Sequence, residues 1–554
     1  MSGRKWLAAS VGLLVLAGIL RIPGLSDPFW IDEVISIETA GLDLPALFQR
    51  VGFADLHPPS YYLLLSLWTW VFGSGELTAR MLSLILGLGS VGVVYYWTRS
   101  HYGPWCGIAA ALLLALSTFH IHYSVEVRSY CLLGFLSTLV LALADRVSTD
   151  ETVRTRRWVI LVLLEGTLLL THYYAVIPVL AANMYFFTVR VHQRQKMLHW
   201  VLSQAACLAC LGLWLPLTLV QYFHLPSGMF AHLQHSEAVK LTLLALGPAP
   251  VHPSRMVAWF GSGLLVAAAA AAVVQAFRQR LRSAPVATTE EPFFLPARES
   301  RPVVLVLCLL LAAPMLTVAF IEGSEATLPL LLHELPLAYI LLFAAVLVLL
   351  LAAVVNQRWL ANGLGMKAPP FLFAASLLGV ALLIVGEARF LPRNVIFLLP
   401  LAVISAASFL KAEGALARMA ILSLIVGLCL PSVTRQRSFE PRQDFRAAAR
   451  FIYDAKTHPQ ADMETFVLPM WDRPGLEYYL GRGSASGIMN TGQIPPKETL
   501  PEKVAIVLTR EAFQRRTEFM DAIAGALAPK YELQHASSFS RVLVIIFEQP
   551  PDRR

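Results

Sequence analysis

The stretch from Arg4 to Glu33, RKWLAASVGLLVLAGILRIPGLSDPFWIDE, decides how the rest of the chain is read. Two basic residues precede an uncharged, mostly apolar run from Trp6 to Leu20. No small-x-small cleavage site follows that run; Arg21, Pro23 and Gly24 do. It therefore reads as a retained first membrane helix rather than a signal peptide that is removed. Just beyond it stand an aromatic anchor, Phe29-Trp30, and two adjacent carboxylates, Asp32 and Glu33.

The same kind of run recurs down the chain. Of 554 residues, 56% are hydrophobic and only 14% charged, and the mean hydropathy is +0.61. A soluble domain of this length needs more charge to cover its surface, so the class is a polytopic α-helical membrane protein. Apolar windows predict about 13 transmembrane helices. They fall near 6–21, 79–98, 105–119, 130–145, 158–171, 174–189, 199–220, 256–277, 303–321, 335–355, 370–386, 394–410 and 419–432.

With the N-terminus in the cytoplasm, the inner loops carry Arg99, then Arg146, Arg154, Arg156 and Arg157, then Arg190, Arg194 and Lys196. Later inner loops hold Arg278, Arg280, Arg282, Arg298 and Arg301, then Arg358 and Lys367, then Lys411 and Arg418. The outer loops hold mostly acids, among them Asp27, Asp32, Glu33, Asp55, Glu126, Glu322 and Glu325. This is the positive-inside bias at every crossing. It also accounts for the formal net charge of +8 without a nucleic-acid partner. The six cysteines, at 106, 131, 207, 210, 308 and 429, lie in or beside apolar runs. Cys207-x-x-Cys210 has no second pair and is surrounded by Leu, Ala and Trp, which fits buried small residues better than a metal or redox site.

Two long segments stand outside the spans. Residues 22–78 form a first outer loop, in which Tyr61 to Phe72 is apolar but short. With Trp68 and Trp70 it reads as a helix lying in the interface, the rival being a full hairpin through the membrane. From about 434 the composition becomes that of a globular protein. Helical patterns at Asp444–Lys456, Pro474–Leu480 and Ala512–Leu527 alternate with an apolar run at Thr465–Met470 and strand patterns at Lys503–Thr509 and Arg541–Phe547. The expected organisation is a transmembrane module, 1–433, and a small α/β extracytoplasmic accessory domain, 434–554. Residues 283–300 read as a linker.

Ionisable residues crowd the outer mouths of the helices. Asp32-Glu33 is either a carboxylate pair fit for general-base work or a solvated acidic loop. His57-Pro58-Pro59-Ser60-Tyr61-Tyr62 presents His57 at a rigid helix entrance, suited to a phosphate, a metal or a helix cap. In His120-x-His122-Tyr123-x-x-Glu126-x-Arg128-x-Tyr130, the Glu and Arg either pair or leave Arg128 for a phosphate. Thr171-His172-Tyr173-Tyr174 forms the next outer turn. Glu165, on the helix before it, is an isolated intramembrane carboxylate, functional or paired. Glu387-x-Arg389-x-x-x-Arg393 suits a phosphate headgroup or snorkelling anchors. No nucleotide-binding loop, zinc-protease helix or serine elbow appears.

Taken in order, several of these motifs resemble the GT-C glycosyltransferases of the protein O-mannosyltransferase superfamily, which includes bacterial lipid A aminoarabinose transferases. The resemblance rests on Asp32-Glu33, His57-Pro58-Pro59-x-Tyr61-Tyr62 and Gly75-Glu76-x-x-x-Arg80. It continues through Ser124-x-Glu126-x-Arg128-x-Tyr130, Thr171-His172-Tyr173, the stretch from Arg389 to Pro400 and Asp444-Phe445-Arg446-x-Ala448-Ala449. Trp more often stands at the Phe445 place.

The resemblance implies a GT-C fold and an inverting transfer from a polyprenyl-phosphate sugar donor to a lipid, glycan or protein acceptor. The location it implies, with the charge pattern, is the outer face of a bacterial inner membrane. It assigns catalysis to Asp32, as base, and Glu33. Substrate binding falls to His57, Tyr61, Glu126, Arg128, Tyr130, His172, Tyr173, Arg389 and Arg393. No cofactor is certain; a divalent metal is an option at Glu126 and His172. The competing class is a transporter or flippase of lipid-linked sugars, which would place polar groups near the bilayer midplane on broken helices.

Overall fold

Trp30, in extended conformation, starts the helix that carries Asp32, because Glu33 reaches back to the Trp30 amide (3.4 Å) and caps it. This helix, α2 (Ile31–Ala40), follows α1 (Gly3–Ile19) and precedes α3 (Leu44–Ala54), whose first turn is capped by Asp43. The computed structural model describes residues 3–55, 57–190, 193–224, 368–385, 392–411, scattered positions in 418–429, 443–456, 463–528 and 530–550. The expected spans 256–277, 303–321 and 335–355, the linker and Arg389 lie outside the described residues.

After Pro58-Pro59 the chain enters α4 (Ser60–Phe72), of 13 residues. At about 1.5 Å rise per residue this helix is roughly 20 Å long, short of the roughly 30 Å bilayer core. Leu67, Trp70, Val71 and Phe72 lie exposed along it. Next, α5 (Glu76–Tyr102) and α6 (Pro104–Leu116) form a tight antiparallel pair. Gly103, at φ +93°, supplies a left-handed turn that a side chain would strain, and Pro104 opens the following helix. At Gly107 a Cβ would stand 2.9 Å from the Tyr95 carbonyl oxygen, so the close approach of the two helices needs glycine.

The short α7 (Thr118–Tyr123) leads by a loop into α8 (Tyr130–Thr149), followed by α9 (Thr155–Leu169), α10 (Val176–Arg190) and α11 (Arg194–His224). Two more apolar helices, α12 (Ala368–Val385) and α13 (Leu398–Ala407), pack against these. By length and composition, 6–24, 76–102 and 130–149 suffice to cross a membrane, with shorter apolar helices at 104–116, 173–187, 368–380 and 398–407. Glu165 is buried on α9, where it accepts from Gln204 Nε2 (2.8 Å) and lies 3.5 Å from Cys207 Sγ. It thus joins α9 to α11.

The C-terminal part is a small sheet domain. Helix α14 (Phe445–Lys456) precedes β1 (Met463–Leu468); α15 (Arg473–Leu480) leads to the two-residue β2 (Ser486–Gly487). Then come β3 (Lys503–Thr509), α16 (Arg510–Gln514), α17 (Arg516–Leu527), β4 (Glu532–Phe539) and β5 (Val542–Glu548). The strand order is β2-β1-β3-β5-β4, with β2, β1 and β3 parallel and β5 and β4 antiparallel to their neighbours. One face packs on α14 and α15, the other on α17.

The expected helix 512–527 is in fact divided near Arg515. Strand β4 leaves no signal in the sequence, because ELQHASSF has no apolar alternation; it is an exposed edge strand held by its backbone pairing with β5.

Candidate active site

Asp32 sits in the first turn of α2, half-buried, and the next residue on that turn is enclosed. Glu33 accepts from Arg80 Nε (2.9 Å) and Nη2 (2.5 Å), and from the Val127 amide (3.0 Å). Neither side chain of the Glu33–Arg80 pair is exposed. One of the two adjacent carboxylates therefore faces Arg80, and Asp32 alone stays accessible.

The Val127 bond carries geometry onward. It fixes the loop between α7 and α8, whose next residue is Arg128. Ser83 Oγ secures the same loop by donating to the Glu126 carbonyl (2.6 Å). Arg128 Nη1 then reaches the Asp32 carbonyl (3.4 Å), Ser36 Oγ (3.3 Å) and Tyr62 OH (3.4 Å). Its Nε is buried and makes no hydrogen bond among the described residues. Burial disfavours its charge, but Tyr62, Asp32, Tyr130 and Asp55 outweigh that and hold the guanidinium pKa well above its ordinary value.

Asp55 is the residue that motif reading missed. Its Oδ1 accepts the His57 amide (2.9 Å) and faces His57 Nδ1 (3.1 Å), while Oδ2 accepts from Tyr62 OH (2.8 Å). A local signal does exist: an Asp two residues before a His that precedes proline makes a side-chain-to-backbone turn. Burial works to raise the Asp55 pKa, yet the bond and charge of His57, the charge of Arg128 and the Tyr62 bond hold it below the usual carboxylate range. His57 is pushed down by burial and by Arg128 and Arg393, against the pull of Asp55. A neutral His57 donates through Nδ1 to Asp55, leaving the Nε2 lone pair for another partner.

The His172 ring lies 5.3 Å from His57 and 6.0 Å from Tyr130, completing one wall. Its Nδ1 accepts the Tyr174 amide (3.2 Å), so in the neutral ring the proton sits on Nε2. Burial, with His57, Arg128 and Arg393 nearby, depresses its pKa well below the ordinary value. Arg393, in a one-turn helix before α13, stacks over the Tyr130 ring at 5.3 Å. Tyr61 is buried at the start of α4 against Tyr62, and Tyr173 is half-buried beside His172.

Of the metal options, Glu126 lies 3.9 Å from His122 Nε2, while both His57 and His172 have Nδ1 engaged within the protein. Among the described residues no three metal-ligating side chains converge.

Residues 56–216 match the model of the family described as dolichyl-phosphate-mannose-protein mannosyltransferase. A sequence search finds no similar curated protein. Among solved structures, ArnT from Cupriavidus metallidurans in the apo state is 17% identical, with 99% of this chain and 98% of that chain covered, at a TM-score of 0.45. The same protein bound to undecaprenyl phosphate is 16% identical over 98% of each chain, at 0.46. The Archaeoglobus fulgidus oligosaccharyltransferase in the apo form is 15% identical over 98% of this chain and 74% of that one, at 0.49. Over residues 56–216, which carry His57, Arg128, Tyr130 and His172, this chain is similar to the dolichyl-phosphate-mannose-protein mannosyltransferases.

Proposed function

We propose that this protein is an inverting glycosyltransferase that moves a sugar from a polyprenyl-phosphate donor to an acceptor at the outer face of the bacterial inner membrane. The observation that carries the reading is the placement of Arg128. Its guanidinium is buried, charged and in contact with the Asp32 backbone, and one N–H is unused. A buried cation with an unused donor, bonded to the backbone of the residue that bears an accessible carboxylate, suits a phosphate leaving group near a base.

In this reading the acceptor O–H or N–H attacks the anomeric carbon from the face opposite the phosphate. Asp32 takes the proton, the new glycosidic bond forms, and the bond from the anomeric carbon to the phosphate oxygen breaks. Polyprenyl phosphate leaves with the bonding electrons, held by Arg128 and Arg393. A single displacement inverts the anomeric centre. Glu33 orients the Asp32 turn through Arg80. Neutral His57 offers Nε2 towards a donor hydroxyl, while His172 Nε2–H is a donor towards the phosphate. The outer-face location is supported by the charge pattern of the loops. The sheet domain then lies outside the membrane as well.

The test is release of polyprenyl phosphate by the purified protein. Polyprenyl-phosphate hexoses and pentoses serve as donors, and total envelope lipid as acceptor. Release with any of these donors that disappears in Asp32→Asn supports the proposal. Equal release by Asp32→Asn overturns the role of Asp32 as base, and no release from any of these donors overturns the transferase reading.

A further inference from the structure

The nine residues leading to and including Glu33 are gripped from two sides. From the membrane module, Arg80 donates to the carbonyls of Leu25 (3.2 Å), Asp27 and Pro28 (3.1 Å), as well as to Glu33. From the sheet domain, Arg446 Nη2 reaches the Ser26 carbonyl (3.4 Å) and Tyr479 OH accepts the Phe29 amide (2.7 Å). Ile31 enters the apolar cluster of the sheet domain with Phe445, Ala448 and Leu476. The two grips share one post. Glu76 and Arg80 stand one turn apart at the start of α5, and Glu76 accepts Tyr479 OH on Oε1 (2.7 Å) and Arg446 Nη1 on Oε2 (2.8 Å).

We infer that Tyr479 and Arg446 of the C-terminal domain are positioning residues for the transfer: through Glu76 and the Phe29 amide they hold the Asp32 turn in register with Arg128. The domain is thus part of the frame of the site, where the sequence alone suggested an accessory module. Tyr479 does this with one hydroxyl that accepts from Phe29, three residues before Asp32, and donates to Glu76. Loss of that hydroxyl leaves the Phe29 amide without its partner and frees the entrance of α2 to open. The inference rests on the reading of Asp32 as base, but the geometry of the clamp is tested separately from it.

The experiment uses the full chain in detergent, with Tyr479→Phe and Arg446→Gln compared with the parent. Hydrogen exchange is followed by mass spectrometry on peptides covering 26–36 and 130–149. Binding of polyprenyl phosphate and its release from the active donor are measured alongside. The expected result is exchange about tenfold faster in 26–36 and unchanged in 130–149. Polyprenyl phosphate binding is unchanged and turnover is about tenfold lower; Arg446→Lys recovers part of the loss. Unchanged exchange in 26–36 overturns the clamp. Faster exchange with unchanged turnover overturns its bearing on the reaction, and faster exchange throughout the chain reduces both residues to a folding role. A fully active Asp32→Asn removes the assignment of Asp32 as base while the exchange data still decide the clamp.

Discussion

Arg80 and Glu33 meet in a bidentate pair, at 2.9 and 2.5 Å, with both side chains fully enclosed. The pair crosslinks α5, the turn bearing Asp32 and, through the Val127 amide, the loop bearing Arg128. Breaking such a buried pair from one side leaves an uncompensated charge and typically costs about 3–5 kcal/mol. Glu33→Gln or Arg80→Met should therefore lower the thermal unfolding midpoint in detergent markedly. The double variant should be less damaging than the sum of the two, because it leaves no lone charge.

Asp32→Asn keeps size and hydrogen-bonding capacity but cannot accept the proton. Turnover should fall by about 10²–10⁴, the usual contribution of a general base. Polyprenyl phosphate binding should be nearly intact, since in the proposed reading the phosphate is held by Arg128 and Arg393. Isothermal titration together with initial rates separates the two effects. A variant that loses binding and turnover in proportion would assign Asp32 to donor binding.

Arg128→Ala should weaken polyprenyl phosphate binding by about 1.5–3 kcal/mol, the range for a charge-assisted contact. Arg128→Lys should recover only part, because a point charge lacks the planar fork. Arg393→Ala should weaken binding too. Binding that is unaffected in both would return these arginines to structural roles against Tyr62 and Tyr130.

Burial depresses the pKa of both His57 and His172 below the ordinary histidine value of about 6.5. Each ring then holds its proton less tightly in the folded chain than in the unfolded one, so below about pH 6.5 the unfolded chain binds more protons than the native one. Their contribution to stability is complete above about 6.5 and shrinks as the pH falls below it, by at most about 1.4 kcal/mol per pH unit per ring. Asp55 acts in a lower window: its depressed pKa stabilises the fold above the usual carboxylate value and is lost only on strong acidification. Thermal midpoints measured from pH 8 to 5 should fall through the lower half of that range. His172→Gln should flatten the decline, and an unchanged slope would show that the ring is not held neutral.

Most of the described apolar helices and two strands of the sheet domain, β3 and β5, are legible in the sequence. An apolar run of helical length, a Gly-Pro break as at Gly103-Pro104, and apolar strands such as β3 are local features, and local features leave local patterns. Residue type and position likewise single out Asp32, Arg128 and Arg393 as chemically able groups. They offer no means of dividing Asp32 from Glu33, which are adjacent in sequence. That division comes from Arg80, 47 residues away, which encloses one carboxylate and leaves the other accessible. Likewise Arg128 reaches the Asp32 turn across 96 residues, and Tyr479 reaches Phe29 across 450. Composition and periodicity determined which elements form, because each depends on neighbours a few residues away. Which charges are matched, which stay open and which domain steadies them were decided only in the tertiary structure, because burial and pairing depend on chain segments with no fixed spacing between them.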